Sequence, residues 1–113
     1  MTTNEPIERF REAAITMDEG SVKQANRACD EAVAALRELR KEPDRGEAKL
    51  VGLLTDEKPS VVYRAAVSLL IFPNRVEEAL ATLRCISDQQ QNFIGFNARQ
   101  ALELWAAGEL KLE

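Results

Sequence analysis

The chain contains no histidine. That absence removes the commonest general base near neutral pH, the histidine half of Ser-His and Cys-His nucleophile pairs, and the usual nitrogen ligand of zinc. Glycine and proline are sparse, five and four in 113 residues, and they fall between apolar runs. No glycine-rich loop is present to cradle a phosphate. The two cysteines, Cys29 and Cys85, lack CxxC spacing, and each sits in a helical pattern as a small buried hydrophobe would. The acidic pairs Asp18-Glu19, Asp56-Glu57 and Glu77-Glu78 lack the alternating oxygen ligands of a calcium loop and read as solvated helix ends. The expectation is a protein that is not an enzyme and uses neither cofactor nor metal.

A basic excess is missing as well. Nineteen acidic side chains against fifteen basic ones give a net charge of −4, whereas binding to phosphate backbones draws on Lys and Arg that displace counterions. The one basic cluster, Arg37, Arg40, Lys41 and Arg45, is interleaved with Glu38, Glu42, Asp44 and Glu47. No nucleic-acid partner is expected. The longest apolar stretch, Ala65–Phe72, is too short to cross a bilayer, and Met1–Phe10 carries acids in place of a signal-peptide core. No membrane partner is expected, and the expected location is cytoplasmic.

What the chain does have is helical periodicity. Hydrophobic residues make up 45% and charged residues 30% of it, enough for one core and a solvated surface. A first helix, capped by Thr3 or Asn4 with Pro6 in its opening turn, presents Ile7, Phe10, Ala14 and Met17 and ends at Gly20. Ser21 caps a second, whose stripe is Val22, Ala25, Cys29, Ala32, Val33, Leu36 and Leu39. Pro43 stops it, and Glu42–Gly46 reads as a polar turn. A short third helix, about Glu47–Leu54, offers Leu50, Leu53 and Leu54. After a turn at Thr55–Pro59, Ser60 caps a fourth helix that is apolar almost all round, with Ser60, Arg64 and Ser68 as its one polar stripe. So narrow a wet face predicts a helix sandwiched at the centre of the core. Asn74 caps a fifth helix with Val76, Leu80, Leu83 and Ile86. Ser87–Asn92 reads as a loop, and a sixth helix with Ile94, Ala98, Ala101, Leu102 and Trp105 closes at Gly108.

Helices three and four realign with five and six. Leu50 and Leu53 match Leu80 and Leu83 thirty residues on, and Tyr63, Ala65 and Leu69 match Phe96, Ala98 and Leu102 thirty-three on. Such helix pairs cannot bury their own apolar faces and must stack. The expected architecture is all-α: a single domain over residues 1–113, with an N-terminal hairpin at 1–42 and helix pairs at 47–72 and 74–108.

Leu53-Leu54, Asp56, Pro59, Val62, Arg64, Ala65-Ala66 and Leu69 together resemble the HEAT-repeat consensus. The chain is similar, more specifically, to short bacterial HEAT-like proteins grouped as a domain of unknown function. The likeness extends to the Leu102…Trp105…Gly108 ending. The second pair departs from the pattern, with Asn97 where Arg64 would recur and no proline in its turn. The resemblance implies a six-helix short solenoid that binds macromolecules and supplies no catalytic residues. Some short members look like immunity proteins, small acidic partners that neutralise a toxin. The resulting expectation is a protein-binding module, an immunity-type protein for a bacterial toxin domain. The alternative is a scaffold or regulatory subunit of a stable cellular complex.

Binding residues concentrate on exposed loops of a rigid scaffold. The expected contact residues are Asp56 and Glu57 at the first turn, and Asp88, Gln90 and Phe93 in the second. Two blander readings stand beside these: Asp56 as a turn carboxylate holding Arg64, and residues 87–93 as a solvated connector. Tyr63 is expected to bury its ring and leave its hydroxyl at the surface.

Overall fold

The computed structural model describes residues 6–89 and 93–110, without the side chains of Pro43, Pro73 and Phe93. The expected caps Thr3 and Asn4 lie outside that range. Six α-helices account for most of the described chain, and no strand occurs among the described residues.

α1 (Pro6–Glu19) and α2 (Val22–Arg40) form a hairpin. Its corner is fixed locally: the Ser21 hydroxyl accepts from the Gln24 amide at 3.2 Å, and the Gln24 side chain accepts from the Ser21 amide at 2.9 Å. This reciprocal capping box satisfies two helix-end donors at once. The buried face of α2 is Ala28, Ala32, Ala35, Leu36 and Leu39, rotated by about one position from the expected stripe. Val22 is 80% exposed, and Cys29 is exposed. Ala28 and Ala35 are buried on the helix that packs against α1, and small side chains permit close approach of two helices.

α3 runs Pro43–Gly52, so the residues expected to form a polar turn open a helix. Proline at the first helical position costs nothing there, since its missing N–H has no partner to lose. Gly46 therefore serves packing, not turning. A Cβ at Gly46 would fall on the backbone carbonyl of Leu39, at the end of α2. A single 3₁₀ turn, Leu53–Thr55, follows, and α4 begins with Pro59 at its first position and Lys58 as its cap.

α4 (Pro59–Leu69) is the centre of the molecule, packed against α1, α3, α5 and α6. Val61, Ala65, Ala66 and Leu69 have no exposure at all. Ser60, expected as a cap, is buried inside the first turn at 4% exposure, and Ser68 at 9%. The stripe expected to face water is thus covered, with only Arg64 half-exposed. Small hydroxyls fit such a covered face because they add little polar surface to it, and no fully buried side-chain polar atom among the described residues lacks a partner.

A 3₁₀ turn at Pro73–Arg75 includes Asn74 and leads into α5 (Val76–Gln89), which buries Ala79, Leu83 and Ile86. Ser87, Asp88 and Gln89, expected in a loop, continue that helix, and the rest of the expected loop, residues 90–92, lies outside the described residues. Cys85 is exposed, correcting its expected burial, because the buried spacing 79, 83, 86 passes beside it. α6 (Phe93–Ala107) ends as expected at Gly108, with φ of 73°. Glu109 N–H donates to the Leu104 carbonyl and Gly108 N–H to that of Trp105, a Schellman closure that needs a left-handed residue. One contiguous core runs from Phe10 to Ala101, with Trp105 packed at its edge. Among the described residues no helix is long and apolar enough to cross a membrane.

Candidate binding groove

An open groove of about 500 Å³ lies between the turn that precedes α4 and the flank of α5. Leu54, Pro59 and Val62 form one side; Ala81, Thr82, Cys85 and Gln89 form the other, with Ile86 between them. Asp56, Glu57 and Glu78 also line it. The volume falls within the roughly 300–1,000 Å³ of typical ligand clefts.

Each wall follows from local sequence. On α5, Glu78, Thr82, Cys85 and Gln89 recur at spacings of four, three and four, which puts them on one helical face. That face adjoins the buried Ala79–Leu83–Ile86 side. The Thr82 hydroxyl donates to the Glu78 carbonyl at 2.9 Å and is thereby occupied. On the other wall, the 3₁₀ turn and the proline-led start of α4 hold residues 53–59 in a fixed course.

Electrostatics shape the turn. Asp56 accepts from Arg11 Nε at 2.7 Å and from the Lys58 amide at 3.0 Å. The hydrogen bond from Arg11 holds its carboxyl below the usual range against the opposing pull of burial, helped by the Lys58 amide. Lys58 in turn donates to Glu19 at 2.9 Å, and that bond raises its pKa. Two ion pairs therefore pin the turn to α1. The expected Asp56–Arg64 pair is not the one formed; Arg64 lies over the Tyr63 ring at 5.1 Å. Tyr63 is half-buried, and burial pushes its hydroxyl pKa up. Farther along, Arg75 donates to Glu47 at 2.6 Å and to Glu78 at 3.0 Å.

Arg11 lies beside Asp56, Glu57 and Glu12, Arg75 beside Glu47 and Glu78, and Lys58 beside Glu19 and Glu57. Glu57 is exposed and has no ion pair among the described residues. Among the described residues Glu57 is the groove-lining carboxylate left outside an ion pair, with the charges of Arg11 and Lys58 nearby.

Of the five expected contact residues, the structure brings Asp56 and Glu57 to this groove. Asp56 is largely withdrawn from solvent, its side chain 11% exposed, and is spent on Arg11. Asp88 is exposed on the last turn of α5 but does not line the groove. Phe93 opens α6, and Gln90 lies outside the described residues. Sequence reasoning missed the α5 wall, although its 78–82–85–89 spacing was readable as a helical face. Among the described residues no group of three His, Cys, Asp or Glu side chains is placed to hold a metal ion. Comparison of the chain with protein-family models, with curated proteins and with solved structures found no match.

Proposed function

We propose that the chain is a non-enzymatic protein-binding module, a HEAT-like short solenoid of the immunity type that neutralises a bacterial toxin domain by covering a basic surface on it. The observation that carries this reading is the groove described above, an apolar trough with the exposed carboxylate of Glu57 at its edge. Negative edges steer a cationic partner into encounter, and a few desolvated apolar contacts supply the affinity. A catalytic reading has less support: Asp56, the most buried carboxyl lining the groove, is held ionised by Arg11, the opposite of a carboxyl tuned as a general acid. The HEAT-like arrangement draws support from α3 packing on α4, α4 on α5 and α5 on α6.

Co-expression tests the reading. The gene next to this one is induced in a bacterial host with and without this chain. Growth arrest by the neighbour's product, relieved by this chain and less so by Glu57→Lys, is the expected outcome. A harmless neighbour, or arrest that this chain does not relieve, overturns the immunity assignment. Stoichiometric recovery with a housekeeping assembly would place the protein in the scaffold class instead.

A further inference from the structure

We infer that the groove takes an amphipathic, basic α-helix of the partner, laid alongside α5. The inference deepens the protein-binding reading above and rests on it. Three observations select this occupant. First, both walls are helical or proline-constrained, and the α5 backbone is already bonded within its own helix. An extended peptide would find no sheet edge and would leave its own N–H and C=O groups unpaired against an apolar floor. A helix brings its backbone satisfied.

Second, the lining residues of α5 run from Glu78 to Gln89, about three turns or roughly 16 Å at 1.5 Å per residue. That length accepts anchors at i, i+3 or i+4, and i+7 of a docked helix. Leu54, Val62 and Ile86 supply the apolar floor for them, and exposed Ala81 lets the incoming backbone approach closely.

Third, the charge is complementary to Lys and Arg. Glu57, exposed and without an ion pair among the described residues, stands on the turn wall, where a cation flanking the apolar stripe meets it; Glu78, at the start of the α5 wall, is already shared with Arg75. An acidic helix would meet repulsion at Glu57. The chemistry of the partner segment is therefore a leucine-like stripe with Lys or Arg at its borders.

Cys85 lines this groove, and the chain's one other cysteine, Cys29, is on α2. Alkylation of Cys85 by iodoacetamide in a Cys29→Ser chain thus reports occupancy directly. The probe is a side-chain-stapled helix of about twelve residues, with leucines at the anchor spacing and lysines beside them. At saturation it should slow alkylation by about tenfold or more, the protection expected when roughly nine sites in ten are filled. A Glu-for-Lys version and a Ser-for-Leu version should leave the rate unchanged. Ala81→Arg, at an exposed position with folding checked by circular dichroism, should abolish protection, and Glu57→Lys should weaken it.

Equal protection by the lysine and glutamate helices, or none by either, overturns the inference. Protection of Cys29 in a Cys85→Ser chain would mark indiscriminate coating and overturn it too. Failure here separates from failure of the functional reading. A toxin bound as tightly by Ala81→Arg as by wild type sinks the groove and spares the immunity role. Selective binding of the lysine helix without any toxin rescue does the reverse.

Discussion

The α1–α2 hairpin and the α4-centred stack are both helical, but they are held together by opposite means. Five of the eight buried side chains of α1 and α2 are alanine, with Phe10, Leu36 and Leu39 the exceptions. In the stack, Leu50, Val61, Leu69 and Leu83 are among the largest fully buried side chains. The hairpin gains stability from close approach of two backbones, the stack from the bulk that fills the space around α4. A helix pair packed through alanines tolerates no added volume, while a core of leucines tolerates no loss of it.

The sharpest way to break this contrast is to exchange the two vulnerabilities. Leu69→Ala, at a site with no exposure, should lower unfolding free energy by about 2–5 kcal/mol through cavity formation. Chemical denaturation measures it, and a loss below about 1 kcal/mol would mean that α4 is not the centre of the core. Ala35→Leu tests the hairpin from the other direction: overpacking at this fully buried alanine should cost about 1–3 kcal/mol. A neutral result would show that α1 and α2 have room between them.

Gly46→Ala probes the joint between the two regions. The added methyl must displace the Leu39 carbonyl, and the expected loss, about 1–3 kcal/mol, reverses the small gain usual for alanine in a helix. The smallest effect concerns the ionic ties from hairpin to turn. Asp56 titrates below its ordinary value of 3.8 when folded, so its contribution to stability is complete above that value and is lost as pH falls through the folded value. The stability gap between wild type and Asp56→Asn should stay constant from neutral pH to about 5 and close below about 4. A gap that persists in stronger acid would assign the Asp56 contribution to shape alone.

Much of the architecture was legible because its signals are local. Six helices, the Ser21 corner, the Gly108 closure and the central place of α4 all follow from caps and periodicity within a few residues. The errors share a cause. Pro43 and Gly46 read as turn residues, yet a first-position proline and a glycine beneath a neighbouring carbonyl belong inside a helix. Cys29 and Cys85 fit an apolar stripe equally well as drawn from sequence, and only the packing of α1 and α4 chose a stripe one position away. The groove was half visible: Glu57 and Asp56 by their turn, the α5 wall by its spacing. The partner of Asp56 was hidden, since Arg11 precedes it by 45 residues.

That separation sets the order in which the molecule assembles. The hairpin and the single helices rest on near neighbours, which meet quickly because little chain entropy is lost in bringing them together. The turn at residues 55–59 waits for α1, through links that span 45 and 39 residues, and the groove waits for α5 as well. The groove is accordingly a late acquisition of folding and a property of the chain from α1 to α5. A fragment that begins after Arg11 or stops before Glu78 lacks one of the groove's supports, so dissecting the protein into its helical pairs separates the groove's walls from the contacts that place them.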